Sequence, residues 1–307
     1  MKRHSIFFSA LVIAFLGHAF TGFAQESLEQ QAAQQVKDTD LWFFVLVKSS
    51  NYSQDAEGEL SFLNYHFFSE LFAKQPGLIK SAKLKREVGQ ELPFDYVDRG
   101  EAFYYEGGHF KSVAGLDAAH PNGNYHFNIE LHSGKTWQTS MLLSGSAGET
   151  DIPEPIHIYL HQDGKAVRPD AVDPGLDLTV SWSSYSNGAP DPKGIVDDMI
   201  FVVFQDCTGK RVFHTGLPFK EPSYMTYRTT EVAVPRDRFE SGHPYAMFVE
   251  FPHRVDSVVI DGTPGFASYA TATYLDVRTT GTSVSQCPEK APPLDTGQTD
   301  RMDVELN

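Results

Sequence analysis

Cysteine is nearly absent from this 307-residue chain, which has only Cys207 and Cys287. Two thiols are too few for a structural zinc site built on cysteine alone, and no Cys-x-x-Cys pair offers thiol redox chemistry. Basic charge is also scarce: 25 Lys and Arg stand against 40 Asp and Glu, for a net charge of −15. That balance argues against a nucleic acid or an anionic membrane as partner, because both are held by basic side chains that displace counterions. No apolar run reaches the ~18–20 residues of a transmembrane segment. A Gly-rich nucleotide loop and a His-Glu-x-x-His helix are missing too, which removes the commonest sequence marks of nucleotide and metalloprotease chemistry.

What is present begins at the N-terminus. Lys2 and Arg3 precede an apolar run from Ile6 to Leu16, closed by Gly22-Phe23-Ala24. This is the pattern of a Sec-type signal peptide cleaved near Ala24, and it implies an exported protein, periplasmic or extracellular. No cysteine stands at the cleavage point to accept a lipid. Loss of Lys2 and Arg3 with the leader takes the net charge from −15 to −17, an acidity that also keeps an exported protein soluble. In an oxidising compartment Cys207 and Cys287 are expected to pair, closing a loop worth about 4 kcal/mol in chain entropy.

The residues after the leader divide by texture into a Gln-rich segment (25–40), a strand-rich region (41–162), a Pro- and Asp-rich linker (163–175), a second strand-rich region (176–287) and a tail (288–307) with too little apolar content to pack. Leu41 to Val47 reads as a strand buried on both faces. Leu63 to Lys74 fits helix or strand. Tyr125, Phe127, Ile129 and Leu131 alternate with His126, Asn128, Glu130 and His132, and Ile156, Ile158 and Leu160 alternate with His157, Tyr159 and His161. Both are half-buried strands, the second followed by the hairpin signal Asp163-Gly164. Further short strands are expected at 176–182, 199–204, 211–214, 231–234, 245–251 and 271–278.

Two local patterns in the second region carry a family resemblance. Leu178-Thr179-Val180-Ser181-Trp182 resembles the strand that holds the core tryptophan of fibronectin type III and related immunoglobulin-like domains. The run from Phe239 through Gly242 to Tyr245 and Val249 resembles their tyrosine corner, in which the tyrosine hydroxyl bonds back to the backbone. Pro121-Asn122-Gly123-Asn124-Tyr125 is a fainter echo in the first region. The Asn187–Asp198 insertion and the two cysteines depart from the family pattern. The resemblance implies an all-β chain of two β-sandwich domains in tandem, with Trp182, Gly242 and Tyr245 in structural roles, and it transfers no catalytic residue.

Candidate sites come from the polar faces. His126, Glu130 and His132 on one strand, with His157 and His161 on another, would form a divalent metal site if the two strands were neighbours; the ordinary alternative is a solvated sheet face. Asp191, Asp197 and Asp198 beside a Gly turn offer oxygens for calcium, or side chains that organise the loop itself. Ser144-Gly145-Ser146-Ala147-Gly148 is a near miss to a nucleophile elbow without the α/β context. The acids are too dispersed to nominate a glycosidase pair. The aromatic clusters Phe103-Tyr104-Tyr105, His109-Phe110 and Tyr185 would stack on sugar rings if exposed, or fill a core if not. The expectation is an exported, non-enzymatic binding or spacer module needing no cofactor, with carbohydrate or a surface protein as partner. An exported hydrolase with its site in 41–162 and a metal-binding envelope protein are the alternatives.

Overall fold

The computed structural model describes residues 39–283, apart from 88, 90, 91, 101, 144–151, 222 and 223, together with Cys287 and Ala291. The leader, most of the Gln-rich segment, the Ser144–Gly148 motif and nearly all of the tail therefore lie outside the described residues. The first half contains β1 (Leu41–Gln54), β2 (Leu60–Ala73), β3 (Ile79–Arg86), β4 (Phe94–Asp95), β5 (Val97–Asp98), β6 (Phe103–Phe110), a short helix α1 (Val113–Ala119), β7 (Gly123–Leu131) and β8 (Thr136–Leu143). The second contains β9 (Ile158–Gln162), β10 (Lys165–Ala166), β11 (Leu178–Trp182), β12 (Met199–Gln205), β13 (Arg211–His214), β14 (Met225–Thr226), β15 (Glu231–Val234), β16 (Pro244–Ile260) and β17 (Thr263–Arg278). The chain is all-β, as the alternation predicts.

These strands form one nine-stranded sheet, ordered β13-β12-β16-β17-β1-β2-β6-β5 with β14 beside β12, and two four-stranded sheets, β4-β3-β7-β8 and β10-β9-β11-β15. Both small sheets cover the same face of the large one. Phe44, Leu46, Phe67, Leu71 and Tyr269 of the large sheet pack with Leu84, Tyr125, Phe127 and Trp137 in the first core. Val202, Phe204, Tyr245, Met247, Val249 and Leu275 pack with Ile158, Leu160, Val180 and Trp182 in the second. This is sheet-on-sheet sandwich packing in two places along one shared layer.

The ambiguous Leu63–Lys74 segment is strand β2, because its two faces meet different layers. Tyr65, Phe67 and Leu71 enter the first core, while Phe68 and Phe72 pack on the other side of the sheet. The closing hairpin is longer than its apolar runs suggest, since β16 and β17 extend through Pro252, His253, Arg254 and Gly265. Gly265 is required there: its register partner is Phe44, and a Cβ would sit 2.3 Å from the Phe44 ring. The turn, Asp261-Gly262, has both residues at positive φ, the backbone of a tight two-residue hairpin.

The expected linker at 163–175 is built into the structure. It starts as the β9–β10 hairpin, and Val172 is fully buried in the second core and bridged in parallel to Thr279. Because β16 and β17 run from the second core into the first, and β1 pairs in parallel with β17, the two sandwiches share a sheet where the sequence reading places them in tandem. The seam between them is polar: Ser50 Oγ lies 3.0 Å from Thr271 Oγ1, and the Gln54 amide clamps the backbone of Ile158 at 2.7 and 2.8 Å.

Trp182, Gly242 and Tyr245, which carry the family pattern, have well-defined surroundings. Trp182 is buried in the second core. The Tyr245 hydroxyl oxygen accepts the Glu240 backbone N–H at 2.7 Å, Phe239 meets the Tyr245 ring edge-on, and Gly242 has φ +70° with no room for a Cβ against Ser283. The echo in the first core closes the same kind of bond, with the Tyr125 hydroxyl donating to Pro121 O at 2.8 Å. Cys207 and Cys287 are disulfide-bonded, with Cα atoms 5.6 Å apart. Among the described residues no helix is long and apolar enough to cross a membrane.

Candidate functional site

The face of the nine-stranded sheet that neither small sheet covers holds a cavity of about 890 Å³. Strand periodicity of two sends alternate residues to it. β1 contributes Phe43, Val45, Val47, Ser49 and Asn51, β2 contributes His66, Phe68, Glu70 and Phe72, β16 contributes Phe248 and Glu250, and β17 contributes Phe266, Ser268, Ala272 and Tyr274. The lining follows β1 from Phe43 to Asn51, eight steps along the strand or about 26 Å at ~3.3 Å per residue. One end is apolar: Phe43 stacks on Phe72 and Phe266, and Leu217, Phe219 and Tyr224 pack over that cluster. The other end is mixed, with Asn51, Gln205 and Arg211 beside Phe248 and Tyr274, and Ala291 packs against Val203, Ala246, Phe248 and Tyr274.

Titratable groups in the cavity are displaced from their ordinary values. Glu250 is reached from the cavity but otherwise enclosed by protein. Burial, with the charge of Glu70 added, pushes its carboxyl up to about 8. Burial, reinforced by Arg211 and Lys220, pushes the His214 imidazole down to about 4, and its Nδ1 accepts the Gly216 N–H at 2.9 Å. Ser268 is fully buried, and its Oγ lacks a hydrogen-bond partner within the described protein.

One wall of the cavity carries a cluster that the sequence reading passed over. His66 Nε2 lies 2.7 Å from Glu106 Oε1, the Tyr104 hydroxyl donates to Glu106 Oε2 at 3.2 Å, and the His66 and His109 rings stack at 4.2 Å. Burial alone pushes the Glu106 carboxyl up, but the His66 hydrogen bond and charge and the Gly108 N–H outweigh it and hold the carboxyl below its usual range. Burial, with His66 nearby, pushes the His109 imidazole down to about 4. The available signal was Glu106-Gly107-Gly108-His109: two glycines between two potential ligands mark a bulge.

The histidines nominated from sequence are not brought together. β7, which carries His126 and Glu130 with His132 just after it, and β9, which carries His161 with His157 just before it, belong to different sheets. Glu130 pairs with the exposed Lys80 at 2.7 Å. His126 borders an open hollow of about 520 Å³ on the outer side of β3, β7 and β8; His132 is exposed and His126, His157 and His161 are half-buried, so the histidine strands are solvated faces. Asp191, Asp197 and Asp198 do converge, but on the protein's own donors. Asp191 accepts the Lys193, Ile195 and Val196 N–H groups and the Ser257 hydroxyl. Asp197 accepts the Asp191 N–H and Arg228, and Asp198 accepts the Ala189 and Arg254 N–H groups and lies 2.8 Å from His253 Nδ1. Their oxygens organise the loop, which leaves no oxygen-rich shell for calcium. Phe103 and Tyr104 are buried and Tyr185 stacks on Phe251, so these aromatics belong to the cores and the cavity wall. Asn51, within the sequon Asn51-Tyr52-Ser53, is buried and donates to Asn64.

No family model matches the sequence, and no curated protein matches it. Among solved structures, the FN1–FN3 domains of chicken CNTN1 align over 77% of this chain and 63% of that one, at 8% identity and a TM-score of 0.23. The adhesin InvE of Yersinia pseudotuberculosis aligns over 74% of this chain and 58% of its own, at 12% identity and a TM-score of 0.18. The yeast delta-COP-I mu-homology domain aligns over 78% and 98%, at 10% identity and a TM-score of 0.18. This chain thus spans less than two thirds of the first two, and at these TM-scores the likeness carries no argument about function.

Proposed function

We propose that this is an exported, non-enzymatic β-sandwich protein that holds a carbohydrate chain on the uncovered face of its nine-stranded sheet, at the cell envelope or outside the cell. The observation that carries the reading is the cavity of about 890 Å³, within the 300–1,000 Å³ usual for ligand sites. Its length along β1 suits an extended ligand. Its lining pairs aromatic rings (Trp42, Phe68, Tyr104, Tyr274) with acid and amide groups (Glu70, Glu250, Asn51, Gln205), which is the chemistry that stacks on sugar rings and hydrogen-bonds their hydroxyls. Export is supported by the leader pattern and, independently, by the disulfide, a bond that persists in oxidising compartments. The second sandwich is fibronectin type III-like in this reading, on the strength of Trp182 and the Tyr245 corner. The alternative hydrolase site built on Glu130 and the nominated histidines has no geometry to support it.

The test is thermal unfolding across a panel of oligosaccharides. A ligand at a hundred times its dissociation constant adds about 2.7 kcal/mol, and Phe68→Ala or Tyr274→Ala should abolish that gain. A gain that survives both substitutions places the ligand elsewhere. No gain with any glycan, together with saturable binding of an envelope protein, replaces carbohydrate with a protein partner.

A further inference from the structure

We propose that His66, Glu106 and His109 form a binding site for a first-row divalent metal ion, with zinc the ion best suited to the donor set and the open coordination position turned to the cavity.

The argument starts from the backbone. Glu106 and His109 are three apart on β6, and in a regular strand an odd spacing sends side chains to opposite faces. Between them the pairing with β2 shifts: His66 faces His109, while Phe68 faces Glu106, so β6 holds one extra residue. Gly107 and Gly108 make this bulge possible. A Cβ on Gly107 would strike the Phe67 ring at 2.3 Å, and Gly108 has φ +97°. The bulge turns Glu106 and His109 to the same side, opposite His66, and one ligand atom from each of the three lies within 4.8 Å of the others.

The chemistry of the three suits a metal better than it suits a closed hydrogen-bond network. His66 and Glu106 satisfy each other, but His109 Nε2 is buried without a hydrogen-bond partner in the described protein. A buried ring nitrogen without a partner is costly unless something else occupies it. Two imidazoles and a carboxylate are a ligand set of catalytic and exchangeable zinc sites, which leave one position open. The Gly108 N–H, donating to Glu106 Oε1 at 2.9 Å, and the Tyr104 hydroxyl, donating to Oε2, supply the outer contacts that orient a ligand carboxylate. His66 and Tyr104 line the cavity, which provides the entry path. Binding requires one imidazole to turn about its Cβ–Cγ bond out of the His66–His109 stack, and the ion replaces the proton shared by His66 and Glu106. The other grouping of ligand-type residues among the described residues, Cys207, His243 and Cys287, is unsuited because both sulfurs are committed to the disulfide. The inference does not depend on what the cavity binds.

The experiment is titration of the purified, chelator-treated protein with zinc by calorimetry, and with cobalt(II) by visible absorption as a reporter of low-coordinate geometry. Wild-type protein should take up one equivalent, show cobalt bands and gain thermal stability with zinc. His109→Ala and Glu106→Gln should each weaken binding by more than the roughly 100-fold that loss of an outer-shell partner costs, and should remove the cobalt bands. His109→Ala tests the site with little threat to the fold, because its Nε2 has no hydrogen bond to lose. The double variant His126→Ala, His161→Ala, on the solvated faces, should bind as wild type does. Absence of stoichiometric uptake by wild-type protein overturns the proposal. So does unchanged affinity in His109→Ala and Glu106→Gln, or loss of binding in the double variant, since either assigns the ion to other histidines.

Discussion

The two faces of the nine-stranded sheet are made by the same strands and differ in almost everything else. On β17, Ala267, Tyr269, Leu275 and Val277 pack into the two cores, while Phe266, Ser268, Ala272 and Tyr274 line the cavity. The covered face is mostly apolar, with buried polar side chains at Ser69, at Lys48 and along the seam of Ser50, Gln54, Thr271 and Thr273. Lys48 is fully buried, and its ammonium is held by Asp117 at 2.5 Å and Asn122 at 2.8 Å, which anchors α1 to the sheet. The uncovered face mixes phenyl rings with Glu70, Glu250, His66 and His214. One face excludes water, and the other presents polar and ionisable groups among its rings. An alternating pattern marks both faces, but only the partner layer says which is core.

The sharpest way to break that comparison is to empty one position on each face. Phe127→Ala, at a residue packed on Phe44 within the first core, should cost about 3–5 kcal/mol in urea denaturation. Phe68→Ala, at a half-buried cavity residue, should cost less than half of that while abolishing any glycan response. Equal costs would mean that the cavity face is core as well.

The next effect compares the two corner tyrosines. Tyr245→Phe leaves the Glu240 N–H without its acceptor and should cost about 1–3 kcal/mol. Tyr125→Phe strips a donor from the Pro121 carbonyl and should cost about 1 kcal/mol or less, because a carbonyl with two lone pairs tolerates under-satisfaction better than an orphaned N–H. Urea midpoints of the two variants decide the order.

A smaller, pH-dependent effect belongs to the cavity. The Glu250 carboxyl is pushed up to about 8 by burial and by Glu70, so between the ordinary carboxylate range and pH 8 the folded state holds a proton that the unfolded state has released. Stability should therefore fall as pH rises from about 4.5 through about 8. Glu250→Gln should flatten that slope, with a melting temperature above wild type at pH 8.5 and unchanged at pH 4. The smallest effect is expected at Glu130→Gln, since this exposed partner of Lys80 should leave the melting temperature unchanged.

Much of this was legible in the residues. The alternation at Tyr125–Leu131 and at Leu178–Trp182 produced strands with the buried sides as expected, and the Phe239–Gly242–Tyr245 pattern produced its turn and hydrogen bond. The candidate site was not legible. The histidines that looked most suggestive, on β7 and β9, were conspicuous because they alternate cleanly with apolar residues, which is what a solvated face looks like. His66 and His109 were inconspicuous because they lie 43 positions apart, and a bulge reverses the face that simple alternation assigns. The lengths of β16 and β17 were also missed, since Pro252, Arg254 and Gly265 interrupt the apolar runs while the ladder between the strands continues past them.

By itself, then, the sequence determined strand identity, the inward side of most strands, the two corners and the acidic surface, because these follow from neighbours one, two or six positions away. Only the tertiary structure decided that β1 lies parallel to β17, that two sandwiches share one layer, and that a cavity opens on its back. Those outcomes depend on pairings such as Ser50 with Thr271, 221 positions apart. Their register is set by the packing of whole layers, which no local pattern records.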